Sequence, residues 1–355
     1  MANYIVPFVS ALVLSLVATP LVRKFALSRN YVDQPGGRHI HKIPIARLGG
    51  VAIFVSWILV ISFYAVFKHD SFNFSPEKIL GVDKNLLGVI LGSTLLFAVG
   101  ARDDIKSMAP WQKLLWILLA GLIVVLSGIK IWWFTNPFGD LLVLGNLSAV
   151  FVILWVVLMV NVINWLDGID GLASGISFIA MIILFLLSIS STVNQPATAL
   201  LLAILGGSIL GFIPYNFNPA KIFLGDSGSL FLGFILAITA IVSGGKVATA
   251  FLVLGIPILD AFWVIISRII KGKSPFKADR SHIHHRLMDM GLNQRQIVIF
   301  LYFLSVLFGY IALKNTTMGK FQASIVLLII MALLGVLFVV TKFIKNKGHK
   351  PFDTP

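Results

Sequence analysis

Long apolar runs separated by short polar clusters recur along the whole chain. A helix needs about 17 to 25 mostly apolar residues to cross a bilayer, and we assign eleven runs to such helices. The predicted spans are 4–22, 48–67, 86–101, 114–128, 147–164, 171–190, 198–214, 227–243, 247–267, 297–313 and 321–341. The pattern therefore predicts an all-α, polytopic integral membrane protein with about 11 transmembrane helices.

The composition favours a membrane protein and excludes a soluble enzyme. Of the 355 residues, 58% are hydrophobic and 12% are charged, whereas soluble domains carry about 25% charged residues. No internal repeat is visible, so we expect one membrane-embedded domain over 1–355, with long cytoplasmic loops at 23–47 and 268–296. The absence of cysteine removes disulfides and thiolate chemistry, and it leaves phosphate and carboxylate chemistry open.

The positive residues are distributed unevenly between the two sides of the membrane. If the loops alternate, 21 of the 28 Lys and Arg residues lie on one side. That side holds 23–47, 102–113, 165–170, 215–226, 268–296 and the C-terminal tail. Lys and Arg are enriched in cytoplasmic loops, so we expect a cell-membrane protein with its N-terminus outside and its C-terminus in the cytoplasm. The net charge of +14 then reflects topology, and no nucleic acid partner is expected.

Four polar clusters on the predicted cytoplasmic side contain candidate catalytic residues. The first is Asp103-Asp104, followed in the same loop by Lys113. Two adjacent carboxylates repel each other, so keeping both ionised favours a nearby metal ion, Lys or Arg. An acidic helix end in water is the alternative interpretation.

The second cluster is Asn164-x-x-Asp167-x-x-Asp170, at the end of the fifth span. If the helix continues, these three side chains lie on one face. Oxygen ligands at this spacing suit a hard cation such as Mg²⁺. The alternative is a polar turn between two spans.

The third cluster runs from Asn216 to Ser229 and contains Gly225-Asp226-Ser227 at the predicted start of a helix. Free backbone N–H groups at a helix N-terminus bind phosphate, and we expect such a site here. Asp226 is alternatively an ordinary N-terminal cap, a role that does not exclude metal binding.

The fourth cluster is Arg280-Ser-His282-Ile-His284-His285-Arg286. Three histidines at this spacing could bind zinc. The neighbouring arginines make a diphosphate or sugar phosphate the better fit, because they supply positive hydrogen-bond donors.

Two further features stay open at the level of the sequence. Lys42–Gly50 is a basic turn that either anchors the second span or contacts phosphate. Asp260 lies inside a predicted span, where it is either a functional carboxylate or the partner of Arg268 or another base near the membrane edge.

With its four clusters in this order, the chain resembles the polyprenyl-phosphate N-acetylhexosamine-1-phosphate transferase superfamily over nearly its whole length. The matching motifs are Asp103-Asp104, Asn164-x-x-Asp167-x-x-Asp170-Gly, Asn216 through Gly225-Asp226-Ser-Gly-Ser, and His282-Ile-His284-His285. The last motif resembles the undecaprenyl-phosphate N-acetylglucosaminyl-1-phosphate transferase branch more than the phospho-N-acetylmuramoyl-pentapeptide transferases.

The resemblance implies transfer of N-acetylglucosamine-1-phosphate from UDP-N-acetylglucosamine to undecaprenyl phosphate, with release of UMP. This is the first membrane step of a cell-envelope glycan. Another UDP-linked N-acetylated sugar, or UDP-N-acetylmuramoyl-pentapeptide, is the alternative donor. A secondary transporter is the alternative class, but it predicts a repeated half and carboxylates near the midplane.

The resemblance also implies roles for individual residues. The expected cofactor is Mg²⁺, with Mn²⁺ as an alternative, and a homodimer is compatible with the superfamily. The metal ligands would be Asp226 and Asn164, and the catalytic residues that position or deprotonate the lipid phosphate would be Asp103 and Asp104. The substrate-binding residues would be Lys113 for the lipid phosphate, Asp167 and Asp170 for uridine, Asn216 within its motif, and His282, His284, His285 and Arg286 for the diphosphate and sugar.

Overall fold

The computed structural model describes most of the chain. The described residues are 2–34, 43–68, 71–79, 81–243, 247–270, 272 and 282–348. Parts of the two predicted cytoplasmic loops, including Lys42 and Arg280, and the C-terminal end of the tail lie outside the described residues.

Helices account for nearly all the regular structure of the described residues, which confirms the all-α prediction. They are α1 Ala2–Ser28, α2 Gly49–Phe67, α3 Lys84–Ile105, α4 Pro110–Ser127, α5 Leu147–Leu166, α6 Leu172–Ser188, α7 Pro196–Asn216, α8 Gly225–Val242, α9 Val247–Val253, α10 Gly255–Ile270, α11 Ile283–Asp289, α12 Gln294–Lys314 and α13 Thr317–Gly348. Three short antiparallel hairpins lie in the connections: β1 Val32–Asp33 with β2 Ile45–Ala46, β3 Lys78–Ile79 with β4 Val82–Asp83, and β5 Trp133–Thr135 with β6 Leu141–Val143.

The helices have the length and composition of a multi-pass membrane protein. In the described part of the chain, nine are long and apolar enough to cross a membrane, and the pair α9–α10 adds a tenth if it forms one crossing. α6 is apolar but has only 17 residues. Each of the eleven predicted runs coincides with a helix or with this pair, while eleven crossings and the orientation of the termini stay predictions.

The predicted continuous span 247–267 is bent by 80° between α9 and α10. Pro257 cannot donate a backbone hydrogen bond to the preceding turn, but in the first turn of a new helix this bond is not needed. A β-carbon at Gly255 would overlap the side chain of Leu327 in α13. Local sequence and close packing therefore both place the break here.

α7 and α8 form the centre of the helix bundle. α7 packs mainly against α1 and α6, and α8 packs mainly against α3 and α5. The apolar segments of α7 and α8 are mostly buried, whereas α1, α4 and α13 expose most of theirs. This arrangement surrounds the N-terminus of α8 with the ends of several other helices.

The β1–β2 hairpin and α2 fix the start of α8. The N–H of Phe223 donates to the carbonyl of Ala46 at 2.9 Å, and the N–H of Gly50 donates to the carbonyl of Leu224 at 2.9 Å. A β-carbon at Gly50 would overlap the backbone of Gly228. Close backbone contact on two sides therefore determines where α8 begins.

Candidate active site

One hydrogen-bonded network joins the ends of α3, α4, α5 and α8. The ammonium of Lys113 lies 2.8 Å from Oδ2 of Asp103 and 2.5 Å from Oδ2 of Asp226. The amide nitrogen of Asn164 donates to Oδ1 of Asp226 at 3.1 Å and to the hydroxyl of Ser229 at 2.9 Å. Asp226 and three other predicted residues, drawn from three separate motifs, thus belong to one network.

Asp104 is buried and caps the N-terminus of α8. Its carboxylate accepts from the N–H of Asp226 at 2.8 Å, the N–H of Ser227 at 3.0 Å and the hydroxyl of Ser227 at 2.7 Å. These N–H groups are therefore not free for phosphate, which corrects the expectation of a phosphate site there. The alternative that Asp226 caps its own helix is also wrong, since its carboxylate faces Lys113 and Asn164.

The second cluster forms a turn and does not continue the helix. α5 ends one residue before Asp167, and the chain turns through Gly171, whose φ is 79°. The phenol of Tyr302 donates to the carbonyl of Gly171 and holds the turn. The condition for Asn164, Asp167 and Asp170 to share one helical face is therefore not met, and the structure confirms the alternative of a polar turn between two helices.

Asp167 lies beside other carboxyl groups. Desolvation raises the pKa of Asp167 well above its ordinary value, and the carboxylates of Asp226 and Asp104 raise it further. Both effects disfavour the ionised form of Asp167 when no cation is near. The local electrostatics therefore suit a cation.

Asp170 belongs to a second network at the start of α12. Its Oδ2 accepts from the amide of Asn218 at 2.9 Å and from the N–H of Ala220 at 3.0 Å. The amide nitrogen of Asn218 also donates to Oε1 of Gln294 at 2.8 Å. The sequence pointed to Asp170 but not to Gln294, which lies 76 positions from Asn218 in the chain.

Asn216 is buried and supports the loop after α7. Its amide oxygen accepts from the hydroxyl of Ser174 at 2.7 Å, and its amide nitrogen donates to the carbonyl of Ile222 at 3.0 Å. Both polar atoms of the side chain have protein partners. The predicted substrate contact of Asn216 stays a prediction, and the observed contacts hold the chain that leads into α8.

His282 is attached to Asp260 of α10. Nδ1 of His282 lies 2.8 Å from Oδ2 of Asp260, and the N–H of Ile283 donates to Oδ1 at 2.9 Å. Asp260 is 6% exposed, so both contacts are shielded from solvent. Of the alternatives for Asp260, the structure shows pairing with a base, and it identifies that base as His282.

The other two histidines differ in exposure. His284 is buried, and its ring lies so close to Gly168 that a β-carbon there would overlap it. Burial lowers the pKa of His284 well below its ordinary value, and His285 and His282 lower it further. His285 lines the adjacent cavity, so it is the histidine of this cluster that faces a ligand-sized space.

Arg286 packs between aromatic side chains of α10 and α13. Its guanidinium lies 5.9 Å from the ring centre of Trp263 and 5.6 Å from that of Phe338. It is not among the residues that line the cavity. The predicted contact of Arg286 with substrate stays a prediction.

A polar cavity of about 580 Å³ lies between these elements, within the usual size range of small-molecule sites. Its polar lining includes Arg47, Asp104, Asp167, Asp170, Asp226 and His285. Asp103, Lys113 and Asn164 are joined to it through Asp226. His282 and His284 lie outside the lining, and the contacts of His282 and Ile283 with Asp260 hold the start of the helix that carries His285.

The acidic residues would fit a magnesium ion that also takes oxygen ligands from a phosphate substrate. Within the described residues, no three His, Asp or Glu side chains are placed to hold a metal by themselves. Mg²⁺ commonly uses one or two carboxylates and completes its shell with water and substrate phosphates. Asp226 and Asp167 supply such carboxylates, since both line this cavity and lie close enough to repel each other. Asn164 directs its amide nitrogen at Asp226, so in this arrangement it orients the carboxylate.

The chain is similar to one sequence family and to several known proteins. The profile described as glycosyl transferase family 4 matches residues 86–244. A probable undecaprenyl-phosphate N-acetylglucosaminyl 1-phosphate transferase from Bacillus subtilis is 32% identical, over 99% of this chain and 96% of its own. A decaprenyl-phosphate N-acetylglucosaminephosphotransferase from Mycobacterium leprae is 26% identical, over 82% of this chain and 79% of its own. An undecaprenyl-phosphate alpha-N-acetylglucosaminyl 1-phosphate transferase from Thermotoga maritima is 26% identical, over 85% and 88%.

Proposed function

Because this chain belongs to glycosyl transferase family 4, within the polyprenyl-phosphate N-acetylhexosamine-1-phosphate transferase superfamily, we propose that it uses UDP-N-acetylglucosamine and undecaprenyl phosphate. It transfers N-acetylglucosamine-1-phosphate to the lipid, giving undecaprenyl-diphospho-N-acetylglucosamine and UMP. The names of the relatives from Bacillus subtilis and Thermotoga maritima support this choice of lipid and sugar. The observation that carries the proposal is the network of Asp103, Lys113, Asn164 and Asp226 beside a polar cavity in an apolar helix bundle.

The chemistry is a direct displacement at phosphorus. An oxygen of the lipid phosphate attacks the sugar-bearing phosphorus of the donor, and the bond from that phosphorus to the bridging oxygen breaks. The bridging oxygen leaves with UMP. A phosphate monoester has a second pKa of about 6, so the lipid phosphate is largely dianionic at neutral pH and needs no strong base. We therefore favour direct attack over an aspartyl-phosphate intermediate.

Lys113 supplies positive charge where the two anions meet. Its ammonium is held between the carboxylates of Asp103 and Asp226. The N–H of Met108 donates to Oδ1 of Asp103 at 2.5 Å and fixes that carboxylate. In the proposed reaction Lys113 holds the lipid phosphate and Asp103 positions the ammonium, which lowers the cost of bringing two anions together.

Mg²⁺ is the proposed cofactor, with Mn²⁺ as a substitute. Asp226 and Asp167 would hold it, and Asn164 and Lys113 would orient the Asp226 carboxylate. When bound, the ion neutralises charge on the transferring phosphate. Asp104 supports this site indirectly, because it fixes the backbone of Asp226.

The donor is expected to lie between the turn after α5 and the start of α12. Asp170, Asn218 and Gln294 form a hydrogen-bonding group suited to uridine, and His285 faces the same cavity.

The distribution of Lys and Arg supports a cytoplasmic site in the cell membrane. This side is the one from which a soluble nucleotide sugar arrives. A homodimer stays a prediction.

Nucleotide release across a panel of donors tests the proposal. Purified protein in detergent is incubated with Mg²⁺, undecaprenyl phosphate and one UDP-sugar at a time, and the released nucleotide is identified by chromatography. The expected result is UMP, released fastest with UDP-N-acetylglucosamine and only when the lipid is present. Release of UDP would refute phosphosugar transfer. Faster turnover of UDP-N-acetylmuramoyl-pentapeptide would assign the alternative donor.

A further inference from the structure

The polar cavity carries more carboxylates than basic groups. Asp33 on β1 joins the four aspartates already described in its lining. Among the cavity-lining residues that the structure describes, Arg47 is the only Lys or Arg. Both substrates of the proposed reaction carry phosphates, and a guanidinium in the cavity lining can attract and hydrogen-bond a phosphate group.

Arg47 is held firmly in its position on the cavity wall. It follows β2 directly, and its N–H donates to the carbonyl of Tyr31 at 3.0 Å. Its guanidinium donates through Nη2 to Oδ1 of Asp33. The Arg47 side chain is 34% exposed while that of Asp33 is only 7% exposed. The buried partner thus fixes a guanidinium that remains accessible from the cavity.

We infer that Arg47 binds a phosphate group of a substrate, which is either the diphosphate of the nucleotide sugar or the phosphate of the polyprenyl lipid. This inference rests on the proposed function and adds a binding residue to it. A guanidinium presents five N–H donors in a planar fork that matches phosphate oxygens. Asp33 orients this fork before substrate arrives, which reduces the ordering required on binding.

The test separates phosphate binding from simple support of the hairpin. Arg47→Ala removes the whole guanidinium, whereas Arg47→Gln removes the charge and keeps an N–H group for Asp33. Arg29→Ala is the matched control, because Arg29 is exposed at the end of α1 and is not part of the cavity lining. The Michaelis constants for UDP-N-acetylglucosamine and for undecaprenyl phosphate are measured separately for each variant, together with thermal unfolding.

We expect Arg47→Ala and Arg47→Gln to raise the KM for one substrate roughly 10- to 100-fold, the size of a lost hydrogen bond to a charged group. The substrate whose KM rises identifies the phosphate that Arg47 binds. Arg29→Ala should leave both constants near the wild-type values. The Tm of Arg47→Gln should also stay close to wild type, since this variant keeps a partner for Asp33.

Unchanged KM values for both substrates in Arg47→Gln would overturn the inference, and so would an equal rise in Arg29→Ala. If Arg47→Ala does not fold, Arg47→Gln decides the question.

If the wild type releases no UMP, the proposed function fails, and direct titration with UMP and with undecaprenyl phosphate tests the inference separately. Weaker binding of either ligand to Arg47→Gln than to wild type would then support phosphate binding, and equal binding of both would overturn it.

Discussion

Neighbouring aspartates in this protein have different partners. Asp103 and Asp104 are adjacent on α3, so their side chains point about 100° apart around the helix. Asp103 faces Lys113, while Asp104 accepts three hydrogen bonds from the first residues of α8. Asp103 can therefore act on a substrate phosphate through Lys113, whereas Asp104 keeps Asp226 in place.

Replacing Asp226 by Asn should remove most of the activity and leave the fold intact. The variant loses the negative charge that pairs with Lys113 and that we assign to the metal, but it keeps the shape of the side chain. We expect kcat to fall at least about 100-fold, by analogy with the loss of one electrostatic group in an active site. Thermal unfolding and UMP release measure the two effects.

Asp140→Asn is the control for this variant. Asp140 is an exposed carboxylate next to β6 and has no place in the site. We expect wild-type turnover from it. Full activity in Asp226→Asn would exclude Asp226 from the chemistry.

The sequence identified the residues of the candidate site more completely than it identified the contacts between them. Asp226 and Asp170 were recognised from motifs, and both line the cavity. The cap made by Asp104 joins residues 122 and 123 positions apart, a distance at which periodicity carries no information. The sequence left the partner of Asp260 as Arg268 or another base, and it did not single out His282, which lies 22 positions away.

At the level of elements, the start of α8 depends on contacts between backbones. α2 approaches it through Gly50, and α3 approaches it through Gly100, where a β-carbon would overlap the carbonyl of Asp226. The β1–β2 hairpin adds a backbone hydrogen bond to the preceding segment. Glycine is needed at both helix contacts because no side chain fits between the backbones.

Gly50→Ala should therefore displace α8 and with it Asp226. Overpacking of this kind typically costs about 1–3 kcal/mol, so we expect a lower Tm together with reduced UMP release. Gly139→Ala is the control, because only one atom, 3.8 Å away, lies within 4 Å of a β-carbon there. Wild-type stability and turnover in Gly50→Ala would show that this close contact does not position the site.

Long apolar runs predicted the long helices of the described residues, because a helix that crosses a bilayer needs about 20 mostly apolar residues. They did not predict the bend between α9 and α10, because a run of apolar residues looks the same whether the helix is straight or broken. Gly255 and Pro257 were the local signal for this break. The ends of the helices also differ from the ends of the predicted spans. The span predicted over 86–101 continues as α3 to Ile105, so Asp103 and Asp104 are helical residues.

For the whole molecule, the main result is that polar residues from distant parts of the chain meet at one end of the helix bundle. The ends of α3, α5 and α7 and the starts of α4, α8 and α12 all contribute to this end. The β5–β6 hairpin belongs to the connection between the other ends of α4 and α5. The distribution of Lys and Arg predicts that this polar end faces the cytoplasm.

Labelling of single cysteines should confirm this orientation. The chain contains no native cysteine, so Lys221→Cys at the polar end and Asp140→Cys beside the opposite hairpin are unique reporters. With an impermeant thiol reagent, Lys221→Cys should react only from the cytoplasmic face and Asp140→Cys only from outside. The reverse pattern would invert the topology and remove the site from the cytoplasm.

The fate of the sugar-bearing phosphate tests the central claim most directly. UDP-N-acetylglucosamine with radioactive phosphorus in that phosphate alone is incubated with the protein, Mg²⁺ and undecaprenyl phosphate. The label is then measured in the lipid and nucleotide fractions. We predict that it moves to the lipid and that the released UMP is unlabelled. Label retained in a released nucleotide, with an unlabelled glycolipid, would contradict transfer of a phosphosugar in this cavity.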